Sequence, residues 1–392
     1  MMNKNFFLRI MSTALLLVCY SFAFGNTGTD IEKYNVVWTT PSQNASGSMP
    51  IGNGELAANV WVEENGDLVF YMSRTDSWNE TGELCKLGRI RVSFTPAVFS
   101  SSDFNQTLDL YNGCIRLKGN GADLSFWVDS AEPVIRIAGK SPEGVLVSVK
   151  AEVWRDKVEK IMPADANSVA RSISGFPDTM EFFRYPDEIL DFENAVVVRH
   201  CNKCSSYDMT LDLQGINLEN RAAYDPFLNR CFGFRIDGKN FIKQSSLELA
   251  SDGELKDIDI RIATESNIYP DHDGWTKKIT ETTESAPLIG KSAARTSKFW
   301  HGFWNRSYIF VETPDMVTGE RINRAYVLQR WVQACAGRGK YPIKFNGSLF
   351  TVDSKYTDPS VDYNPDYRRW GWRLLVAEYP FYVLSDAQIR RF

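Results

Sequence analysis

Residues 30–285 form a succession of short runs in which apolar and polar residues alternate, each ended by Gly, Asn, Asp or Pro. Such alternation places the apolar side chains on one face of a strand, and these residues favour turns. The clearest pair, at 55–61 and 67–72, is joined through Asn65-Gly66, a dipeptide that accepts the positive φ of a tight hairpin. No helical period persists in this region. The pattern therefore predicts a mainly β protein with a large antiparallel β-sandwich over residues 26–285.

Ten further strands complete the predicted sandwich. They are expected at residues 89–94, 107–111, 114–117, 124–128, 134–137, 145–154, 195–199, 209–213, 232–236 and 258–263.

The amino terminus has the features of a secretory signal. Lys4 and Arg9 supply positive charge, residues 10–24 are mostly apolar, and Ala23-Phe24-Gly25 puts small residues at the two positions that define a cleavage site. We expect cleavage after Gly25, which predicts an exported protein, periplasmic or extracellular.

Two alternatives for the amino terminus are weaker. A membrane anchor needs about 20 apolar residues to span a bilayer, and this run is shorter. A lipoprotein site at Cys19 would require a small residue just before it, whereas Val18 is bulky.

Charge and composition limit the classes of partner that the protein is expected to bind. The net charge is −5 and the isoelectric point is near 5.5, so no electrostatic argument favours nucleic acid. Aromatic residues make up 13% of the chain. They suit a large β core, and they also stack on the apolar faces of sugars. After the signal, no apolar stretch is long enough for membrane insertion.

Six cysteines follow the signal, and they are too dispersed for a small disulfide scaffold. Cys201 and Cys204 have the spacing of a zinc knuckle, and His200 lies beside them. A zinc site would require a second such pair, which the sequence lacks, so we predict no metal and no cofactor. A local disulfide and buried free thiols both remain open.

Two helices are predicted after the sandwich. The first, at 291–304, lies in a helical linker over 286–314 and ends in aromatic residues. We expect Trp300 and Trp304 to form a buried clamp between domains, and His301 to be structural.

The second helix is predicted at 319–336. It carries an apolar stripe at intervals of three and four residues, made of Ile322, Ala325, Leu328, Val332 and Cys335. Gly337 and Gly339 end it, and Pro342 follows.

Residues 49–59 contain the turn Gly52-Asn53-Gly54. Its glycines allow a tight path into the first hairpin, and a turn with no further role is the simplest interpretation. A phosphate-binding loop is disfavoured, because a strand rather than a helix follows the glycines.

These motifs resemble a known family. The run PIGNGELAANVW, the segment Arg74–Asn79 and the residues 225–233 are similar to the opening sandwich domain of glycoside hydrolase family 95 and its relatives in the six-hairpin glycosidase superfamily. The chain looks closest to secreted relatives known only as a domain of unknown function. The resemblance implies that the sandwich packs against an (α/α)6 barrel and forms one rim of its pocket, with the start of the barrel at 315–371.

The resemblance also implies a function. The intact protein would be an α-L-fucosidase-like enzyme that hydrolyses glycosidic bonds with inversion and takes an oligosaccharide or polysaccharide as substrate. In the family, the catalytic acid and base lie deeper in the barrel, so no catalytic residue is nominated here. Candidates for substrate binding lie in the loop after the second helix: Asn346, which matches an asparagine of the family, and Asp353, Asp366, Arg369 and Trp370. A non-catalytic carbohydrate-binding module and a lyase on the same architecture are the alternatives.

The last residues, 372–392, lack the motifs that relatives carry after the Trp-Gly pair at 370–371. A set of codons for 372–381 can be read one nucleotide over as Gly-Gly-Tyr-Trp-Trp-Gln-Asn-Thr-Arg, and codons for 385–392 as a segment ending in Ser-Gly-Asp-Phe. Both are family motifs. We therefore expect a frameshift near Gly371, an out-of-frame tail at 372–392, and a truncated, inactive chain.

Overall fold

A computed structural model of the protein describes residues 27–161, 179–341, 349–353 and 365–366. The predicted signal and the predicted out-of-frame tail lie outside the described residues. The strands, β1 to β17 in chain order, are Val36–Trp38, Met49–Gly52, Leu56–Val62, Leu68–Trp78, Leu84–Thr95, Asn105–Asp109, Cys114–Gly119, Ala122–Val128, Val134–Glu152, Glu159–Lys160, Phe183–Arg184, Glu188–Phe192, Ala195–Cys201, Arg230–Gly238, Phe241–Ser245, Glu248–Ser251 and Leu255–Ile268.

The α-helices, α1 to α5, are Thr27–Glu32, Tyr207–Leu213, Asp273–Ser285, Ile289–Arg306 and Met316–Gly337. Short 3-10 turns lie at Ala45–Gly47 and Arg221–Tyr224. None of these helices has the length and apolar character needed to cross a membrane.

Strand β9 joins the two sheets of the sandwich. It is 19 residues long. Its first half pairs with β8 and β17, and its second half pairs with β5 and β16. One sheet therefore runs β1-β6-β7-β8-β9-β17-β14-β13-β12, and the other runs β2-β3-β4-β5-β9-β16-β15. The pairings are antiparallel, which confirms the predicted mainly β class with a large antiparallel sheet.

The core lies between the two sheets. Apolar side chains from both inner faces form one cluster, in which the rings of Phe70 on β4 and Phe126 on β8 meet edge to face at 5.0 Å. Each fully buried side chain of this size contributes about 1.5–3 kcal/mol relative to an exposed one. The apolar positions of the alternating sequence pattern are therefore the positions whose side chains form this core.

Two local predictions for the sandwich region are wrong. Residues 209–213 belong to the helix α2, in which Leu211 is buried. Residues 134–137 and 145–154 are not two strands. A single strand, β9, covers residues 134–152 and stays extended because residues 138–140 pair with its neighbours on both sides.

Helix α3 was not predicted at all. Its buried positions include Trp275, Ile279 and Thr283, at intervals of four residues. Because its other positions are Thr, Ser, Lys, Glu, Asp and Gly, too few apolar residues marked the helical period. The helix packs against β14 and β17.

Helix α5 buries a face that shares Cys335 with the predicted stripe and otherwise differs from it, while Leu328 and Val332 of the stripe are only partly buried against the core. The buried positions are Gly319, Asn323, Val327, Trp331, Ala334, Cys335 and Ala336, whereas Ile322 is 44% exposed. The helix lies on β2 and β3. Trp331 contacts this surface directly, and its Nε1 donates to the carbonyl oxygen of Pro50 at 2.8 Å. The face that carries Trp331 and Asn323 is therefore the buried one, in place of the face that carries most of the aliphatic stripe.

Candidate functional site

The hairpin between β4 and β5 is unusually polar for a buried segment. Arg74 forms a bidentate pair with Asp76, with Nε to Oδ1 at 2.8 Å and Nη2 to Oδ2 at 2.9 Å. The backbone oxygen of Asp76 accepts a hydrogen bond from Ser266 Oγ at 3.0 Å. Buried charges persist only where partners satisfy them. The Arg74–Asn79 motif of the sequence therefore has an internal role that holds the hairpin against β17.

A chain of alternating charges begins in the same hairpin. His200 Nε2 lies 3.3 Å from Glu80, and its Nδ1 lies 3.0 Å from Asp187. Arg155 then bridges Asp187 and Asp366, at 2.9 Å to each. All five side chains are at least nine-tenths buried. We call these five residues the buried charge chain.

His200, the second residue of the buried charge chain, carries a positive charge on its imidazole. Burial by itself lowers the pKa of His200, but hydrogen bonds to Asp187 and Glu80, together with the charges of these carboxylates, raise the pKa to about 9. His200 is therefore a cation at neutral pH. Its ring also stacks on Phe232, with the ring centroids 4.9 Å apart.

Asp366 lies at the end of the buried charge chain, in the segment after α5. Besides Arg155, it accepts hydrogen bonds from the backbone nitrogen of Lys86 at 2.6 Å and from Trp154 Nε1 at 2.8 Å. Burial raises the pKa of Asp366, yet the charges of Arg155 and Lys86 outweigh burial, so the pKa lies below its usual value. The Lys86 ammonium group in turn donates to Thr351 Oγ1 at 2.6 Å and to the carbonyl oxygen of Pro365.

Asp353, a predicted binding residue, is also held by the sandwich. Its carboxylate accepts a hydrogen bond from the Tyr71 hydroxyl group, to which Arg89 Nη1 donates at 3.2 Å. Its neighbour Val352 packs on a small cluster of Ala45, Trp61, Val69, Tyr71 and Trp154. Two separate points of the segment after α5 are therefore anchored on one sheet face, at Asp353 and at Asp366.

The other predicted binding residues, Asn346, Arg369 and Trp370, lie outside the described residues. Their contact with a ligand stays a prediction, as does that of Asp353. Asp366 lies in the same region as Asp353, because Lys86 contacts both Asp366 and Thr351, and Trp154, which bonds Asp366, packs on the same cluster as Val352.

The Gly52-Asn53-Gly54 turn is a docking point for α5. The Gly54 N–H donates to the Cys335 carbonyl oxygen at 2.8 Å, and the Gly339 N–H donates to the Gly54 carbonyl oxygen at 3.1 Å. A Cβ atom at Gly52 would lie 2.5 Å from the same Cys335 oxygen. Asn53 Nδ2 reaches the Asp129 and Glu132 carbonyl oxygens of a neighbouring loop at 2.9 and 3.1 Å. The turn therefore has a further role: because Gly52 and Gly54 lack side chains, the backbone at the end of α5 can approach them closely.

The aromatic linker helix α4 packs as expected. Trp300 and Trp304 are buried, and the ring of Trp300 lies 4.2 Å from that of Trp331 on α5. His301 stacks on Tyr111 at 4.1 Å and bonds Asn112 Oδ1 through Nε2 at 3.0 Å. These contacts match the predicted structural roles.

A surface groove with a volume of about 750 Å³ lies where residues 286–290 cross β9 and β17. Arg136 in its wall donates to the Pro287 carbonyl oxygen at 2.6 Å and pairs with Asp259 at 3.4 Å. The groove therefore marks the seam between the sandwich and α4, and neither Asp353 nor Asp366, the two predicted binding residues that the structure describes, lines it.

Sequence reasoning missed Glu80, Asp187 and Arg155. Glu80 directly follows the recognised Arg74–Asn79 motif, and Arg155 directly follows a predicted strand, so charges at strand ends were the available signal. Their partners are far away in the chain, and only the fold brings them together.

The fold and these anchors define a β-sandwich protein in which α5 packs on β2 and β3, while Tyr71 and Arg155 hold Asp353 and Asp366 of the segment after α5. A family profile described as Domain of unknown function (DUF5703) matches residues 37–309. The chain belongs to this family. The finding agrees with the resemblance to relatives of unknown function, and it does not extend to glycoside hydrolase family 95.

One solved structure that resembles this chain is provisionally assigned as a kojibiose phosphorylase from the human microbiome. The identity is 12% and the TM-score is 0.40, over 83% of this chain and 42% of that protein. This chain thus spans less than half the length of that protein, and the likeness is too low to carry an inference about activity. A comparison with curated proteins finds no match.

Proposed function

We propose that this chain is the sandwich part, with the first helix of the barrel, of an exported glycoside hydrolase that cleaves glycans with inversion. The observation that supports this proposal is the double anchoring of the segment after α5. Tyr71 holds Asp353, and Arg155 holds Asp366. Arg369 and Trp370, candidates for sugar binding, follow only three and four residues after the second anchor.

The physical reason is preorganisation. A side chain that binds a sugar ring is effective only when its position is fixed before the substrate arrives. A buried charge pair is costly to break, because removal of one partner leaves a charge without compensation. The sandwich therefore suits the role of a rigid support for a loop at the rim of a carbohydrate site.

The catalytic acid and base are proposed to lie in a longer, intact protein, by the resemblance to the six-hairpin glycosidases. We propose in addition that the reading frame changes near Gly371, so that the 392-residue chain lacks activity. Residues Asn346, Arg369 and Trp370 would then contact the sugar from the sandwich side of the pocket, and Asp353, which is buried and bonded to Tyr71, would hold the segment after α5 in place.

The test is a gene in which one nucleotide is inserted or deleted near codon 371. The restored protein should release sugar from a panel of oligosaccharides that includes fucosylated glycans, and NMR should show the inverted anomer as the first product. The 392-residue chain is the matched control and should release none. If the shifted frame does not continue into several hundred codons of helical, Trp-rich sequence, the frameshift proposal is wrong.

The same panel separates the alternatives. Unsaturated products from the restored protein would indicate a lyase. Tight glycan binding by the 392-residue chain, together with no cleavage by the restored protein, would indicate a non-catalytic binding module.

A further inference from the structure

The groove between α4 and the sandwich contains the amino end of α4. This helix runs for 18 residues from Ile289, and its N-cap residue, Leu288, makes no side-chain hydrogen bond to the first turn. The first turn also lacks an acidic residue. The N–H groups at such an end have no partners within the helix, and the helix dipole makes the end positive. Gly290 in this turn lines the groove and has no atom within 4 Å of its Cβ position, so the helix end is open to a ligand.

Arg136 on β9 provides a second, independent observation. Its side chain is only 5% exposed, although the residue lines the groove. Nη2 donates to the carbonyl oxygen of Pro287, the residue before the N-cap, so the guanidinium group is held directly beside the helix end. Among the described residues, the buried Nε of Arg136 has no hydrogen-bond partner. A cation and the positive end of a helix are therefore adjacent, and this arrangement favours a negative group beside both.

The charges of the sandwich compensate Arg136 only in part. Its carboxylate partner, Asp259, lies 3.4 Å away and is 28% exposed. On β17, Arg261 is directly opposite Arg136, and Arg261 is itself engaged by both carboxylate oxygens of Asp237, at 2.8 and 3.0 Å. Burial lowers the pKa of Arg136, and the charge of Arg261 opposes the raising effect of Asp259. This end of the groove therefore has an excess of positive charge.

The rest of the groove suits an anionic ligand with an apolar side. Its volume of about 750 Å³ lies within the range of small-molecule sites. Three acidic side chains line it, Glu254, Asp257 and Asp259, against five basic ones, Arg136, Lys140, Lys239, Lys256 and Arg261. Leu255, Ile258 and Leu288 line it as well, and Leu288 is 76% exposed. Apolar surface beside a few charged groups is the usual lining of a site for a small organic ligand.

We propose that this groove binds an acidic oligosaccharide, such as a short chain of uronic acids, with one sugar carboxylate placed between Arg136 and the first turn of α4. Guanidinium groups and the N–H groups at helix amino ends are both preferred partners of carboxylates. The C–H faces of the sugar rings would pack on Leu288 and its apolar neighbours. The carboxylate part of the proposal rests on the groove alone, whereas the oligosaccharide part rests on the proposed function.

Isothermal titration calorimetry with the 392-residue chain tests this site. The probes are trigalacturonic acid, its trimethyl ester, which has a similar size without the charge, and monomeric galacturonic acid. The acid trimer should bind at least tenfold more tightly than the ester, and added salt should weaken the binding. No binding of the acid trimer, or equal binding of the trimer and the ester, would refute the carboxylate site. Binding of the monomer as tight as that of the trimer would refute the oligosaccharide.

Two variants test where the trimer binds. Gly290→Asp adds a carboxylate to the first turn of α4, in open space, and should weaken binding of the acid trimer at least tenfold without loss of thermal stability. Gly302→Asp is the matched control, because it adds the same charge to the same helix, also with no atom within 4 Å of the Cβ position, but away from the groove. It should bind as wild type does. The proposed location is wrong if Gly290→Asp binds normally or if both variants lose binding equally.

These outcomes do not depend on catalysis. If the restored protein cleaves no glycan while the 392-residue chain binds the acid trimer, the groove proposal stands and the proposed function fails. Cleavage by the restored protein, with no binding of the trimer to the 392-residue chain, gives the reverse result.

Discussion

The backbone N–H of Gly54 donates a hydrogen bond to the carbonyl oxygen of Cys335, 2.8 Å away, and so joins the first hairpin of the sandwich to the end of α5. The two residues are 281 positions apart in the chain. The contact is possible because Gly54 has no side chain at the point where residues 338 and 339 cross it. A turn that the sequence marks only as tight is therefore a joint between two parts of the structure.

Gly54→Ala should destabilise this joint. Its φ of +99° disfavours any side chain, at a cost of about 1–3 kcal/mol. The new Cβ would also lie 2.7 Å from the Cβ of Arg338, and such overpacking adds roughly 1–3 kcal/mol. Urea unfolding measures the total. Gly253→Ala is the control, because Gly253 has φ +91° and no atom within 4 Å of its Cβ position. If both variants lose the same free energy of unfolding, the contact between Gly54 and α5 does not contribute to stability.

Arg155→Met should be among the most destabilising single substitutions in the sandwich. It removes the cation that Asp187 and Asp366 share and leaves these buried carboxylates with only His200 and Lys86 to compensate them, and breaking such a buried pair costs about 3–5 kcal/mol. Chemical denaturation followed by tryptophan fluorescence would measure the loss. The matched control is Lys140→Met. Lys140 pairs with Asp257 at 3.9 Å in a solvent-exposed setting, so its loss should cost about 0–1 kcal/mol. Similar costs for both variants would contradict the structural role of the buried charge chain.

The stability of the protein should fall in acid partly through Asp366. Its pKa in the folded state lies below the ordinary value of 3.8, because the charges of Arg155 and Lys86 outweigh burial. A lowered pKa stabilises the fold fully above the unfolded value, and this contribution is lost as the pH falls through the folded value. Asp366→Asn should therefore be less stable than wild type at neutral pH and show a shallower decline between about pH 5 and pH 2.

Thermal unfolding across that pH range would test this dependence. Asp123→Asn serves as the control, since Asp123 is exposed and pairs with the exposed Lys118. If Asp366→Asn and wild type lose stability with the same slope, Asp366 does not contribute to the acid response.

Val327→Ala and Ile322→Ala compare the observed and the predicted faces of α5. Val327 is fully buried, so its truncation should cost about 1.5–3 kcal/mol. Ile322 is 44% exposed, and its truncation should cost under about 1 kcal/mol although more atoms are removed. Differential scanning calorimetry of the two variants measures the order. If Ile322→Ala lost more stability than Val327→Ala, the buried face of α5 would be the one that the sequence pattern predicted.

Some features were predictable because their causes are local. Alternation and turn residues such as Asn65-Gly66 predicted the hairpin of β3 and β4, since strand formation and tight turns depend on neighbouring residues. The linker helix with its buried Trp300 and Trp304 was predicted within a few residues for the same reason. Helix α3 was missed because its contacts with β14 and β17, rather than its own pattern, supply most of its stabilisation.

Periodicity and turn chemistry along the chain are enough to specify the β class, the antiparallel architecture and the positions of α4 and α5. Which charges meet depends instead on the packing of elements that are distant in the chain. Glu80 and Arg155 lie just beyond the ends of β4 and β9, and the fold connects them through His200 and Asp187, while Asp366 joins them from the segment after α5. The disulfide of Cys201 with Cys231, which is opposite it on the neighbouring strand β14, depends on packing in the same way. Pairings between residues this far apart depend on how the sheets align, and no local pattern in the chain encodes that alignment.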